Sequence, residues 1–130
     1  MTIVQLYFTQ PSNNNVELLL PAGRYKVKFT GAQTLYSGGD ALKYTLQFRS
    51  NLTKLKYGNQ NANYFQISLP HAHQAQIQGE LCWEFDYFGP FTMDIVDLST
   101  GQAPVGNRFQ EGTYYFDVEP CSPNQHLVNN

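Results

Sequence analysis

From Arg24 to Thr30 the chain reads RYKVKFT, an unbroken alternation of polar and apolar side chains, and the same rhythm runs through most of its length. In an extended backbone that rhythm sends alternate side chains to opposite faces of a pleated strand. No segment of helical length repeats apolar residues at helical spacing. Strands are therefore expected near Thr2–Thr9, Val16–Leu20, Arg24–Thr30, Leu42–Arg49, Tyr64–Leu69, Glu80–Tyr87, Phe91–Leu98 and Thr113–Glu119, with a weaker one over Leu52–Tyr57. Turn-forming residues punctuate them: Pro11 to Asn15, Ser37-Gly38-Gly39-Asp40, Gly58-Asn59, Gly89-Pro90 and Ser99-Thr100-Gly101. Short strands at this spacing predict an all-β protein, an antiparallel two-sheet β-sandwich or a barrel, not a parallel α/β sheet. A sandwich of jelly-roll type is the expected form.

At 130 residues the chain is the length of one domain that can bury a core without staples. No linker is visible, so residues 1–121 are read as one β-sandwich domain and residues 122–130 as a polar C-terminal tail. LPAGRYKVKFT and QEGTYYFDVEP each set a glycine two residues before a tyrosine and then continue as an alternating strand. Gly23 and Gly112 are expected to supply tight turns at positive φ that lead the chain into a sheet. The pattern also suits a sandwich whose first and last strands lie close together.

Aromatic residues, mostly Tyr and Phe, make up 15% of the chain, which favours pleated, half-buried surfaces. Charged residues reach only 14%, against roughly 25% in ordinary soluble domains. Asn and Gln together outnumber all charged side chains, so neutral amides dominate the polar surface. Contacts between such surfaces are not screened by salt, which suits particles and fibres. The opening MTIVQLYFTQP has neither a basic leader nor a long apolar stretch, so no signal peptide is read and cytoplasmic synthesis is expected. Nothing approaches the length of a membrane span. Without an export signal, Cys82 and Cys121 are expected as two reduced thiols.

EGTYYFDV, with Gly112, Tyr114, Tyr115, Phe116 and Val118, resembles the late-strand phrase of jelly-roll domains of the complement and tumour-necrosis-factor type. Similar phrases occur in viral and phage structural jelly rolls. The resemblance implies a non-enzymatic β-sandwich, often trimeric or capsid-associated, and carries over no functional residue. The absent leader and the amide-rich surface fit a virion protein better than a secreted ligand. The expected function is thus a structural module of a viral or phage particle (capsid, decoration, spike or fibre), localised in that particle as a homo-oligomer.

Enzymatic signatures are weak. His71 and His73 are spaced to share an ion from one strand face, but Pro70 suggests a loop. The glycine and glutamate that a cupin-type site sets around such a pair are replaced by Phe65 and by Ile77 or Gln78. Glu84, Asp86, Asp94 and Asp97 could mimic a glycosidase pair, yet their alternation with apolar residues reads as a solvated outer face. Nucleophile-elbow, dinucleotide and phosphate-loop motifs are missing. No catalytic residue, metal or cofactor is assigned.

Charge order is more informative. Arg24, Lys26, Lys28, Lys43, Arg49, Lys54 and Lys56 follow one another with only Asp40 between them. Glu80, Glu84, Asp86, Asp94, Asp97, Glu111, Asp117 and Glu119 come later, against Arg108 alone. One reading is a basic face for single-stranded nucleic acid with Tyr25, Phe29 and Tyr57 stacking bases, disfavoured because those rings alternate with the lysines and so face the other way. Another is self-complementarity, in which Arg24, Lys26, Lys28, Lys54 and Lys56 of one copy meet Glu84, Asp86, Asp117 and Glu119 of the next. A third is pairing of adjacent strands within one chain, with no partner involved. A glycan is the remaining candidate partner: Trp83, Tyr57 and Tyr36 could stack sugar rings, unless Trp83 belongs to a core-facing stripe with Phe85 and Tyr87.

Overall fold

The computed structural model describes residues 2–35, 42–48, 54–57, 60–62, 64–69, 74–75 and 83–121, with backbone only at 48, 54–57, 60–62, 65 and 74–75. Its strands are β1 (Thr2–Phe8), β2 (Asn14–Val16), β3 (Gly23–Thr34), β4 (Leu42–Phe48), β5 (Lys54–Tyr57), β6 (Gln60–Ala62), β7 (Tyr64–Leu69), β8 (Gln74–Ala75), β9 (Trp83–Tyr87), β10 (Phe91–Asp97) and β11 (Gly112–Pro120). One turn of 3₁₀ helix, Gly106–Arg108, interrupts the connection from β10 to β11.

The strands form two antiparallel sheets, as the alternation predicts. The larger runs β1-β11-β3-β9-β5-β6, with β8 also beside β3, and the smaller runs β2-β10-β4-β7. Apart from β5, β6 and β8, the first half of the chain pairs with the second in reverse order: β1 with β11, β2 with β10, β3 with β9 and β4 with β7. Consecutive strands change sheet along the chain, except that β5 and β6, and likewise β8 and β9, both belong to the larger sheet.

Between the sheets lie the apolar halves of the alternating strands. Trp83, Phe85 and Tyr87 of β9 point inward with Tyr25, Val27 and Phe29 of β3 and Tyr114, Phe116 and Val118 of β11. Phe29 contacts Phe116 at 5.4 Å between ring centroids, and Tyr87 reaches across to Phe91 of the smaller sheet at 6.2 Å. Each fully buried ring of this kind contributes about 1.5–3 kcal/mol from burial alone, so the aromatic stripes dominate cohesion.

β3 runs beyond the expected Thr30 because a bulge resets its parity. Phe29 opposes Phe116 while Gly31 opposes Tyr115, leaving Thr30 as the extra residue, with its hydroxyl donating to the Tyr115 carbonyl at 3.1 Å. Inward positions then shift to Ala32 and Thr34, which would otherwise face outward.

The repeated glycine–tyrosine phrase resolves into two neighbours: β3 and β11 lie side by side, with Val27 opposite Val118 and Phe29 opposite Phe116. The glycines, however, are not equivalent. Gly112 has φ +156°, and a Cβ there would sit 2.3 Å from the Gln33 carbonyl oxygen. Gly23 is not among the positive-φ glycines, and its Cβ would meet nothing nearer than 3.7 Å. The expected turn at Gly23 is therefore corrected, and Gly112 is required by close backbone approach.

A second correction concerns Val16–Leu20. Only Asn14–Val16 pairs as a strand; Leu18 still packs into the core, and Leu19 and Leu20 follow it without strand pairing. Tyr87 anchors that run: its hydroxyl accepts from the Leu18 N–H at 3.0 Å and donates to the Leu18 carbonyl at 2.8 Å.

Candidate interaction surface

The outer face of the larger sheet gathers seven residues of the candidate charge clusters, and the backbone register sets Lys54 and Lys56, whose side chains lie outside the described residues, on the neighbouring strand. Register sets Lys28 opposite Asp117, and Lys26 opposite Glu119 on one side and Glu84 on the other. Arg24 faces Asp86, and on the next strand Lys54 stands opposite Asp86 and Lys56 opposite Glu84. Acidic β11, basic β3, acidic β9 and basic β5 thus interleave. Separate basic and acidic sides do not form, because blocks remote in sequence become alternate strands of one sheet. By register, acidic positions stand beside basic ones across this sheet, so the basic positions do not form one uninterrupted track.

Among the described residues an ion pair on this face joins the Arg24 Nε to Asp86 Oδ1 at 2.9 Å, with a second contact from Nη2 to Oδ2 at 3.4 Å. Both side chains keep partial solvent contact, so the pair contributes at most about 1 kcal/mol. Cys121 closes the lower edge. Its N–H donates to the Arg24 carbonyl at 3.0 Å and its thiol lies 3.5 Å from Glu84 Oε1. Burial, reinforced by Glu84, pushes that thiol up to about 11, so it is a poor nucleophile near neutral pH. Cys82 lies outside the described residues.

Among the carboxylates, Asp97 departs from the solvated outer face expected for it. It is fully buried, and it accepts from the Ser99 N–H at 3.0 Å, the Ser99 hydroxyl at 2.9 Å and Arg108 Nη2 at 3.1 Å, with a further bond from Arg108 Nε. The hydrogen bonds from Arg108 hold its carboxyl down at about 2, below the usual carboxylate range. Around it, Tyr44 donates to the Arg108 carbonyl and accepts from the Gln110 N–H, and Tyr114 donates to the Gln110 carbonyl at 2.7 Å. Thr34 donates to Gln110 Oε1 at 2.9 Å. Parity was the missed signal: in FTMDIVD, Asp97 shares the inward set with Phe91, Met93 and Ile95. Both carboxylate oxygens of Asp97 are thus engaged in fastening the connection from β10 to β11. Asp94 instead accepts from the Asn13 N–H at 2.8 Å.

Two exposed apolar places stand out. The first is the edge strand β1, where Ile3 is 53% and Tyr7 54% exposed on the outer face. The second is the sandwich end, where Leu19 at 94% and Phe88 at 57% flank an open cleft shared with Glu17, Ala22 and Pro90. Val4, Leu6, Leu18 and Met93 also border a small apolar gap between the sheets, about 30 Å³ in volume, too small for more than a water-sized guest.

The expected stacking aromatics fare differently. Trp83 is 8% exposed, on the core-facing parity of β9, and cannot lie flat against a sugar. Tyr57 ends β5, with its side chain outside the described residues, and Tyr36 lies wholly outside them, as do His71 and His73. Among the described residues no three His, Cys, Asp or Glu side chains group to hold a metal. No described helix is long and apolar enough to cross a membrane.

Fold and surface together define an all-β, two-sheet sandwich with acidic and basic strands adjacent on one outer face. Compared with known families, curated proteins and solved structures, the chain matches none.

Proposed function

We propose that this protein is a non-catalytic structural module of a larger assembly, a jelly roll that works as a homo-oligomer. A virion component, whether capsid, decoration, spike or fibre, is the form this reading favours. The reverse-order pairing of strands around the core supports the jelly-roll reading. One observation carries the assembly reading. Large apolar side chains stand exposed on an edge strand and at the sandwich end, in places that monomeric β proteins usually guard with charge, proline or a bulge. Neutral amides add to it, as does an outer face on which opposite charges stand on adjacent strands of one chain, since contacts between copies then need little ion pairing.

Sedimentation velocity of the full chain across micromolar concentrations tests the proposal, and a defined homo-oligomer is expected. A monomer at every concentration would reject it. Burial of Trp83 weighs against a carbohydrate-binding module, which would regain ground if a monomeric chain bound glycans saturably.

A further inference from the structure

We propose that β1 pairs with β1 of a second copy, antiparallel about a two-fold axis through Gln5, so that the two larger sheets join into one. This rests on the assembly reading above and names the surface it uses. β1 ends the larger sheet, and among the described residues no backbone bond reaches its outer edge. Its register against β11 runs from Thr2–Val118 to Phe8–Gly112 without a shift, so no bulge turns the edge away. TIVQLYF contains no charged residue and no proline. Charge, proline and a bulge, three usual devices against edge pairing, are thus missing from the described strand.

The strand is also complementary to itself. With Gln5 opposite Gln5, Ile3 of one copy stands opposite Tyr7 of the other, and Val4 opposite Leu6. The two exposed apolar residues of β1 thereby cover each other on the outer face, an aromatic and a β-branched side chain directly opposed. Val4 and Leu6, packed only partly against the core, meet on the inner face. Because this register pairs odd with odd and even with even positions, core and outer face each continue across the axis. An uncharged edge meeting its own copy incurs no like-charge repulsion, which favours a second copy over a charged partner. A seven-residue strand is about 23 Å long, a narrow strip beside the roughly 1,200 Å² of a standing interface, so the dimer should dissociate on dilution.

The test uses the full chain with Gln5→Lys, Gln5→Glu and Gln5→Cys. Gln5 is exposed on the outer face, so these variants keep the fold, which circular dichroism and the melting temperature check. Gln5→Lys should weaken dimerisation at least tenfold, and an equimolar mixture with Gln5→Glu should restore it, since only the two-fold register brings residue 5 against itself. Gln5→Cys, oxidised with copper phenanthroline, should yield a disulfide that joins two peptides containing residue 5. An oligomer that survives Gln5→Lys, or that forms no such link, overturns β1 pairing and leaves the assembly reading standing on another surface, such as the β7 edge. A wild-type chain that stays monomeric overturns both.

Discussion

Replacing Asp97 by asparagine keeps the shape of the side chain and removes the charge that faces Arg108. The magnitude follows from the site. The carboxyl ionises near 2 in the folded protein against an ordinary 3.8, a difference of about 1.8 pH units. At about 1.4 kcal/mol per unit, the ionised form contributes about 2–3 kcal/mol to folding. Full burial of Asp97 argues against discounting that figure for solvent screening, whereas Arg108 keeps partial exposure and can rehydrate in the variant. The sign is fixed by the depressed value. Stability from this group is fully present above the unfolded value of 3.8 and is lost as pH falls through about 2. Urea unfolding of wild type and Asp97→Asn, followed by tryptophan fluorescence from the buried Trp83, should show a gap of about 2–3 kcal/mol near neutral pH with unchanged m-value. The gap should narrow below about pH 4 and be mostly gone by about pH 2. A gap under about 0.5 kcal/mol, or one that stays constant down to about pH 2, would refute the view that a charged Asp97 fastens the β10–β11 connection.

Three further outcomes are expected. Gly112→Ala should cost several kcal/mol or prevent folding, because its methyl would collide with the Gln33 carbonyl, while Gly23→Ala should stay within about 1 kcal/mol of wild type; equal melting temperatures would contradict this. Tyr87→Phe removes both bonds to the Leu18 backbone and should cost about 1–2 kcal/mol, with faster limited proteolysis near Leu19 as the readout and unchanged cleavage as the contrary result. Native Cys121 should resist iodoacetamide near neutral pH and react on unfolding, as resolved by peptide mass spectrometry; rapid labelling of the folded chain would contradict its burial and raised ionisation.

Particular stretches show how much of this could be read in advance. Tyr64–Leu69 matches its expected bounds, and Phe91–Asp97 misses by one residue, because polarity alternates cleanly there and turn residues flank both. Leu18 to Leu20 misled because an apolar run looks the same whether or not another strand lies alongside it. Asp97 was legible in its parity, but its partner Arg108 sits on a loop that no periodicity locates. For the candidate surface, membership was readable and arrangement was not. Arg24, Lys26 and Lys28 face one way by alternation alone, whereas their position between Glu84–Asp86 and Asp117–Glu119 depends on strand order.

Alone, the string of residues determined which side chains turn inward, since the pleat acts between immediate neighbours and needs no other part of the molecule. Three-dimensional packing alone decided that chain segments sixty or more residues apart lie side by side: Arg24 bonds Asp86, and β1 is left at an edge. Backbone hydrogen bonds are the same for every residue pair, so which strands become neighbours is chosen by how the whole core closes. That choice set the acidic strands β9 and β11 on either side of the basic strand β3.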